Sequence, residues 1–359
     1  MTIFSRLTVA LSLAVTAALV SAAPPRVSGN RPVEIEVPIP DSDLPGSEPG
    51  PAGSRAGGFL AAVFQDDAEP VAEGVTAAEG AKQLTPAAEL KRARQQLLKY
   101  KWISAKIVET VTIHEKSFKA EGRYLQGALE PDNWRMRLEL VIKIGDAEGS
   151  LLEVCDGGML WTRTEIDFGK KRERKDKRET TLTRRDVAKI MSAAQNSIDE
   201  KNRTALIASF GLGGMPALIA AIEQDMKFIG MKEDTLRDRP VYVIHGTWTD
   251  AFAGKLRGQQ PGKEQAPSLL PVFVPDAVRV YIDRETGFPH RVLYLKKIPG
   301  REVSKAMLTL DFLDVVLDQP LNNLEFDYEP PAGVTPVELT KQFLEMLAPA
   351  EVKTGGKPR

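Results

Sequence analysis

The sequence predicts an α+β domain in which helices cover one apolar face of an antiparallel sheet. Two observations carry this expectation. Segments 103–114, 117–128 and 134–144 follow one another and alternate apolar and polar residues with a period of two. Amphipathic stretches with a period near 3.6 stand before, between and after the strand-like runs. Strands joined by short turns, with the helices set apart from them in the chain, make an antiparallel sheet rather than a βαβ array.

Order is expected to begin at Thr85-Pro86, a capping hydroxyl followed by proline at the first helical position. Over 86–101, Leu90, Ala93, Leu97 and Leu98 recur on one side, with Lys91, Arg92, Arg94 and Gln95 on the other. The third strand is the clearest: Met136, Leu138, Leu140, Ile142 and Ile144 alternate with Arg135, Arg137, Glu139, Val141 and Lys143. Another strand runs through Leu151 to Cys155. Asp156-Gly157-Gly158 then supplies a tight turn, and Met159 to Ile166 continues the meander. From Gly169 to Arg185 a basic stretch interleaved with Glu173, Asp176 and Glu179 fits a solvated excursion, or else a dock for anionic headgroups or an acidic partner.

Asp186 to Gln195 and Met215 to Met226 read as helices, the second carrying Leu218, Ile219 and Ile222. The glycines Gly211, Gly213 and Gly214 lack the lysine and the βαβ setting of a phosphate-binding loop, so they read as a connection. Strands return at Lys227 to Met231 and Pro240 to Trp248. A Pro/Gly/Gln-rich loop follows at 252–275, and then a hairpin of Val278 to Asp283 and His290 to Lys297 around Glu285-Thr286-Gly287. Ser304 to Val316 and Leu324 to Tyr328 complete about ten strands, and a helix over 336–347 closes the domain.

Of the 359 residues, 48 are Lys or Arg and 49 are Asp or Glu. The net charge of -1 excludes a general nucleic-acid polyelectrolyte. Arg6, an apolar run from Leu7 to Val20, and small residues Ser21 to Ala23 read as a signal peptide over 1–22, cleaved after Ala22. About 14 apolar residues are too few to span roughly 30 Å of hydrocarbon. Residues 23–84 are rich in proline and small residues and read as a disordered tether. A folded domain over 85–348 and a polar tail over 349–359 complete the chain. With Cys155 as the only cysteine, neither an intramolecular disulfide nor a lipid-anchoring cysteine after the leader is available. An exported protein, soluble after cleavage, is the expectation.

No residues with catalytic spacing stand out. The three histidines, His114, His245 and His290, form no ligand pair, and Cys155 in an apolar strand reads as a small hydrophobe. No metal, cofactor or catalytic residue is expected, although a glycosidase-like carboxylate pair across strands stays open. The apolar sheet face has two readings: ordinary core closed by helices, or a cleft that admits an acyl chain beneath a lid.

Three segments give the chain a family resemblance. Leu151 to Trp161 holds an apolar strand, the turn at Asp156 and Gly157, and a Leu-Trp strand start at Leu160 and Trp161. Phe326 to Thr335 holds a closing strand and a turn at Pro330, Pro331 and Gly333, and Pro131 precedes Trp134 in a Pro-x-x-aromatic step. In this order they resemble the LolA-like family of periplasmic lipoprotein carriers and lipoprotein-sorting proteins. The resemblance spans about 87–337 and identifies the chain as a divergent member. Carriers place an arginine directly before the proline of that step, where this chain has Glu130.

The resemblance implies a strongly curved, half-open β-barrel covered by helices, with acyl chains held in its concave cleft. Leu97, Met136, Leu138, Leu140, Leu152, Val154 and Leu218 are the residues it assigns to that cleft. It implies a monomeric, non-enzymatic binder of lipid or lipoprotein acyl chains in the periplasm, with no nucleic acid as partner. An envelope protein-binding or sensor module on the same sheet is the alternative, its partner meeting the basic stretch at 169–185.

Overall fold

The computed structural model describes residues 84–113, 116–130, 133–145, 147–168, 178–197, 214–256, 270, 274–298 and 303–347. The expected leader, nearly all of the tether, the polar tail, His114, Pro131, the first part of the basic stretch and most of the 252–275 loop lie outside them. The first helix, α1 (Pro86–Leu97), is capped by Thr85, whose hydroxyl accepts from the amide of Ala88 at 3.2 Å.

Alternation then organises β1 (Trp102–Ile113), β2 (Lys116–Glu130), β3 (Asn133–Ile144), β4 (Ala147–Cys155), β5 (Met159–Asp167) and β6 (Arg178–Asp186) into one antiparallel meander. Helices α2 (Val187–Ser197) and α3 (Gly214–Asp225) follow. A second meander comprises β7 (Met226–Leu236), β8 (Arg239–Trp248), β9 (Ala277–Asp283), β10 (Pro289–Lys297) and β11 (Ser304–Leu317), with a short helix α4 (Asp250–Leu256) after β8. The chain ends in a 3-10 turn (Asn323–Phe326), a two-residue strand β12 (Val337–Glu338) and α5 (Thr340–Leu347).

Pairing of β1 with β11 joins the two meanders into a 12-stranded sheet, ordered β12-β6-β5-β4-β3-β2-β1-β11-β10-β9-β8-β7. The sheet is open, with β12 and β7 at its edges, and only the β12–β6 pair is parallel. Bulges at Ser104/Lys106, Ala128/Glu130, Phe228/Gly230, Pro289/Arg291 and Tyr294/Leu295 bend the strands, as curling so wide a sheet requires.

The two faces are buried by different elements. One face packs against the five described helices: Leu90 and Leu97 of α1, Ile190 of α2, Ile219 and Ile222 of α3, Phe252 of α4 and Leu347 of α5 join the strands in one core. The opposite face of β1 to β6 is crossed by residues 318–339. Asp318 ties to Lys101 and Trp102, and the Phe326 ring lies 6.4 Å from that of Trp102. Arg137 donates to the carbonyl of Glu325 at 3.0 Å, and Tyr328 meets Trp161 at 5.6 Å. Glu338 then pairs with Arg184 at 2.8 Å.

Several sequence expectations are corrected. Arg178 to Arg185 is not an excursion but most of strand β6, in continuous register with β5. Leu324 to Tyr328 is not a strand: its aromatic residues alternate because they lie on the sheet, not because they pair with it. The first helix stops at Leu97, short of 101, and the last starts at Thr340 rather than 336.

The crossing segment has a seat. A Cβ on Gly127 would collide with the Trp102 ring, which occupies that space and stacks on Phe326. Gly127→Ala is expected to displace Trp102 and cost about 1–3 kcal/mol through overpacking. Urea unfolding and near-ultraviolet circular dichroism measure this, and an unchanged midpoint would show that the segment does not depend on the seat.

Candidate functional site

Side chains on a strand alternate between faces, so the cross-strand register decides which residues share the helix-covered side. Met136 pairs with Cys155, Leu138 with Glu153, and Leu140 with Leu151. Of the residues expected in the cleft, Met136, Leu138 and Leu140 therefore face the helices, as do Leu97 of α1 and Leu218 of α3. Leu152 and Val154 do not. They are buried on the opposite face, apart from that core, and their assignment to the cleft is corrected. The cause is that Leu151 to Cys155 is buried on both faces, so hydrophobicity alone could not choose between them.

The helix-side core is closely packed: Leu97 is 0%, Met136 1% and Leu140 4% exposed. At its margin Phe118, Leu138, Leu218, Met231 and Leu310 are only half-buried while packing on the same cluster. A depression of about 500 Å³ lies elsewhere, beside the bulge of β1 against β11, lined by Ser104, Lys106, Glu121, Arg123 and Asp314. Its cations are engaged: Lys106 lies 3.7 Å from Glu121, and Arg123 lies 2.6 Å from Glu139.

Polar ties hold the helices down. The Tyr124 hydroxyl donates to Oε1 of Gln126 at 2.5 Å, and both oxygens receive the amide of Met215, at 3.0 and 3.1 Å. Gly214 precedes that amide with φ of +59°, where a Cβ would strike Gln126. Tyr100 donates to the carbonyl of Thr286 at 2.9 Å, and Gly287 admits the backbone of Ala93 close by. Arg94 of α1 and Glu223 of α3 pair at 2.6 Å, so the two helices are linked to each other.

The residues quoted for the family resemblance serve the frame. Asp156 accepts from the amides of Gly158 and Met159 at 2.8 and 2.7 Å, and Gly157 adopts φ of +103°. Trp161, Phe326, Pro330, Pro331 and Gly333 belong to the side crossed by residues 318–339, where Val334 donates to Pro331 at 3.2 Å. Trp134 instead packs at the margin of the helix-side core.

Among the described residues the buried carboxylates are Glu89, Glu109, Glu153 and Asp283. Glu89 meets Arg92 at 2.6 Å, Glu153 meets Arg185 at 3.7 Å, and Asp283 lies 3.6 Å from His290 and 3.9 Å from Arg239. Glu109 has no such partner and its Oε1 is buried without a hydrogen bond. The sequence carried a signal for it: Ile103, Ala105, Ile107 and Val111 mark one face of β1, and Glu109 is the acid among them. Glu109 and Glu153 are three strand spacings apart, about 14 Å of sheet, and four residues out of register. They do not form the carboxylate pair that glycoside hydrolysis uses. No group of His, Cys, Asp and Glu among the described residues could hold a metal, and burial pushes the Cys155 thiol up to about 12.

No family model matches the chain, and no well-described protein matches it by sequence. Among solved structures it is similar to LprF from Mycobacterium bovis, at 10% identity over 66% of this chain and 94% of that one, with a TM-score of 0.32. It is also similar to the lipoprotein LppX from Mycobacterium tuberculosis, at 10% identity over 66% and 97%, with a TM-score of 0.31. A candidate outer membrane lipoprotein-sorting protein domain from Vibrio parahaemolyticus gives 11% identity over 68% and 97%, with a TM-score of 0.23. Superpositions at these scores are partial, and the functional reading rests on the chain's own residues. The architecture expected of a LolA-like chain, an open antiparallel sheet with helices on one face, is the one observed.

Burial pushes the carboxyl of Glu109 up to about 7 from an ordinary 4.5. Well below pH 4.5 the group is protonated whether the chain is folded or not, and its titration takes nothing from stability. As pH rises from about 4.5 to about 7 the unfolded chain gains by ionising while the folded chain does not, and above that both are ionised and the loss is complete. About 3 kcal/mol of stability is thereby lost. Glu109→Gln should be more stable than the parent at pH 8, with the gap closing toward pH 4. Urea midpoints that differ equally at both pH values would sink this account.

Proposed function

We propose that this chain is an exported, non-enzymatic binder of lipid or lipoprotein acyl chains, acting as a carrier in the cell envelope. The observation that supports it is the continuous apolar sheet face whose helix cover leaves Phe118, Leu138, Leu218, Met231 and Leu310 half-buried at its margin. Each methylene moved there from water gains about 0.8 kcal/mol, which needs apolar area and no catalytic group. Because Leu97, Met136 and Leu140 are packed, a chain enters as α1 and α3 part from the sheet together. Their shared ion pair, Arg94–Glu223, moves with them, while Tyr100–Thr286 and the Tyr124/Gln126 contact with Met215 are the ties that yield.

In this reading residues 1–22 are a removed leader, 23–84 a tether, and 85–348 a monomeric working domain in the periplasm. No described helix is long and apolar enough to cross a membrane. A second reading, a protein-binding envelope module with a closed core, draws on edge strand β7, where Ile229 is 58% exposed and one side of the strand pairs with nothing described. An extended peptide adds to such an edge through main-chain hydrogen bonds.

Solvent extraction of the purified protein followed by mass spectrometry is expected to recover acyl lipid. Leu138→Gln and Leu218→Glu, each folded by circular dichroism, should weaken displacement of a fluorescent fatty-acid probe about tenfold, the effect of a polar group in an apolar site. Lipid-free protein that binds no such probe would favour the closed-core reading instead.

A further inference from the structure

Among the described residues Glu109 meets no cation, and nothing donates to its buried Oε1. It projects from the middle of β1 to the helix-covered side, directly opposite Ala120 of β2 and Leu310 of β11, with Ile107 and Val111 on either side along its own strand. None of these neighbours carries a charge or a side-chain donor. The residue is 3% exposed, and its Oε1 is buried with no hydrogen-bond partner. Every other buried carboxylate described is matched by a cation. An acceptor left unmade in an apolar surround is costly, and an aliphatic side chain of similar size would serve the core better.

Its position gives the cost a purpose. Leu310, its direct cross-strand neighbour, and Phe118, its diagonal neighbour on β2, are two of the half-buried residues at the core margin. The acid therefore sits beside half-buried apolar residues of the core margin.

We infer that Glu109 receives the polar end of the bound molecule, which is a hydrocarbon chain ending in an N–H or O–H donor. This rests on the acyl-binding reading and narrows it. A terminal ammonium or hydroxyl completes the acceptor, whereas an ester leaves it unmade and a second carboxylate is repelled. Raised acidity of the bound state follows from the same pairing, since a donor stabilises the ionised form.

The full chain is tested at pH 8 by displacement of diphenylhexatriene with hexadecylamine, hexadecanol and methyl hexadecanoate. The amine and the alcohol are expected to bind about tenfold or more tightly than the ester, the effect of one satisfied buried acceptor. Glu109→Leu should erase that preference, so that amine, alcohol and ester bind alike. Glu109→Gln, whose amide can accept from the alcohol and donate to the ester carbonyl, should lose any excess for the amine and narrow the gap between alcohol and ester. If the parent binds all three alike, or if the preference survives in Glu109→Leu, the inference is overturned while the acyl-binding reading stands. If neither the fluorophore nor any of the three binds the parent, the acyl-binding reading fails and takes this inference with it.

Discussion

Everything else in this protein depends on the pairing of β1 with β11. Each meander is local: β1 to β6 and β7 to β11 each pair strands that are neighbours in sequence. Only the register that sets Ile107 against Phe312 and Val111 against Leu308 joins them across some two hundred residues of chain. Closing so long a loop is entropically expensive. The recompense is hydrophobic, because the seam makes one apolar face wide enough for helices from both halves to share. Leu97 before the first meander, Ile222 between the two and Leu347 after the second thus reach a single core.

Glu109 lies on that same seam, opposite Leu310. In a core governed by apolar area, an unpartnered acid at the join is the residue least explained by folding. The other buried carboxylates locate the contrast. Asp283 accepts from the amides of Glu285 and Thr286 and shapes the turn that carries Gly287 toward α1. Glu153 holds Arg185, whose guanidinium faces the Phe343 ring of α5. Each organises an element around it, while Glu109 organises none.

Much of the architecture was legible in the sequence, and the errors have physical causes. Strict alternation over Met136 to Ile144 yields a strand with one apolar face, and the register places those residues on the helix side. In β4 the same reasoning fails, because Leu151 to Cys155 is buried throughout and a slip of one residue exchanges the faces. β6 was obscured by its arginines, although Thr180, Thr181 and Thr183 are β-formers and Arg184 and Arg185 are held by Trp161, Glu338, Glu153 and Phe343. A short helix such as α4, inside a stretch read as a Pro/Gly-rich loop, carries too few residues for its period to be seen. The unmatched state of Glu109 depends on what does not face it from β2 and β11, and that requires the register.

The two sides of the sheet are secured by interactions of different kinds, which bears on how the helix-covered side can open. On the side crossed by residues 318–339, Phe326 is fully buried and stacked on Trp102, Arg137 and Arg123 grip Glu325, and β12 adds main-chain pairing to β6. These contacts hold residues 318–339 on β1 to β6 and involve neither α1 nor α3. The helices are attached by a few discrete hydrogen bonds and by apolar contact that an inserted hydrocarbon chain would replace in kind. Parting them exchanges one apolar partner for another and leaves the ladder hydrogen bonds and the opposite face intact. Opening of the helix side is thereby energetically separable from unfolding of the sheet, as the proposed binding of an acyl chain requires.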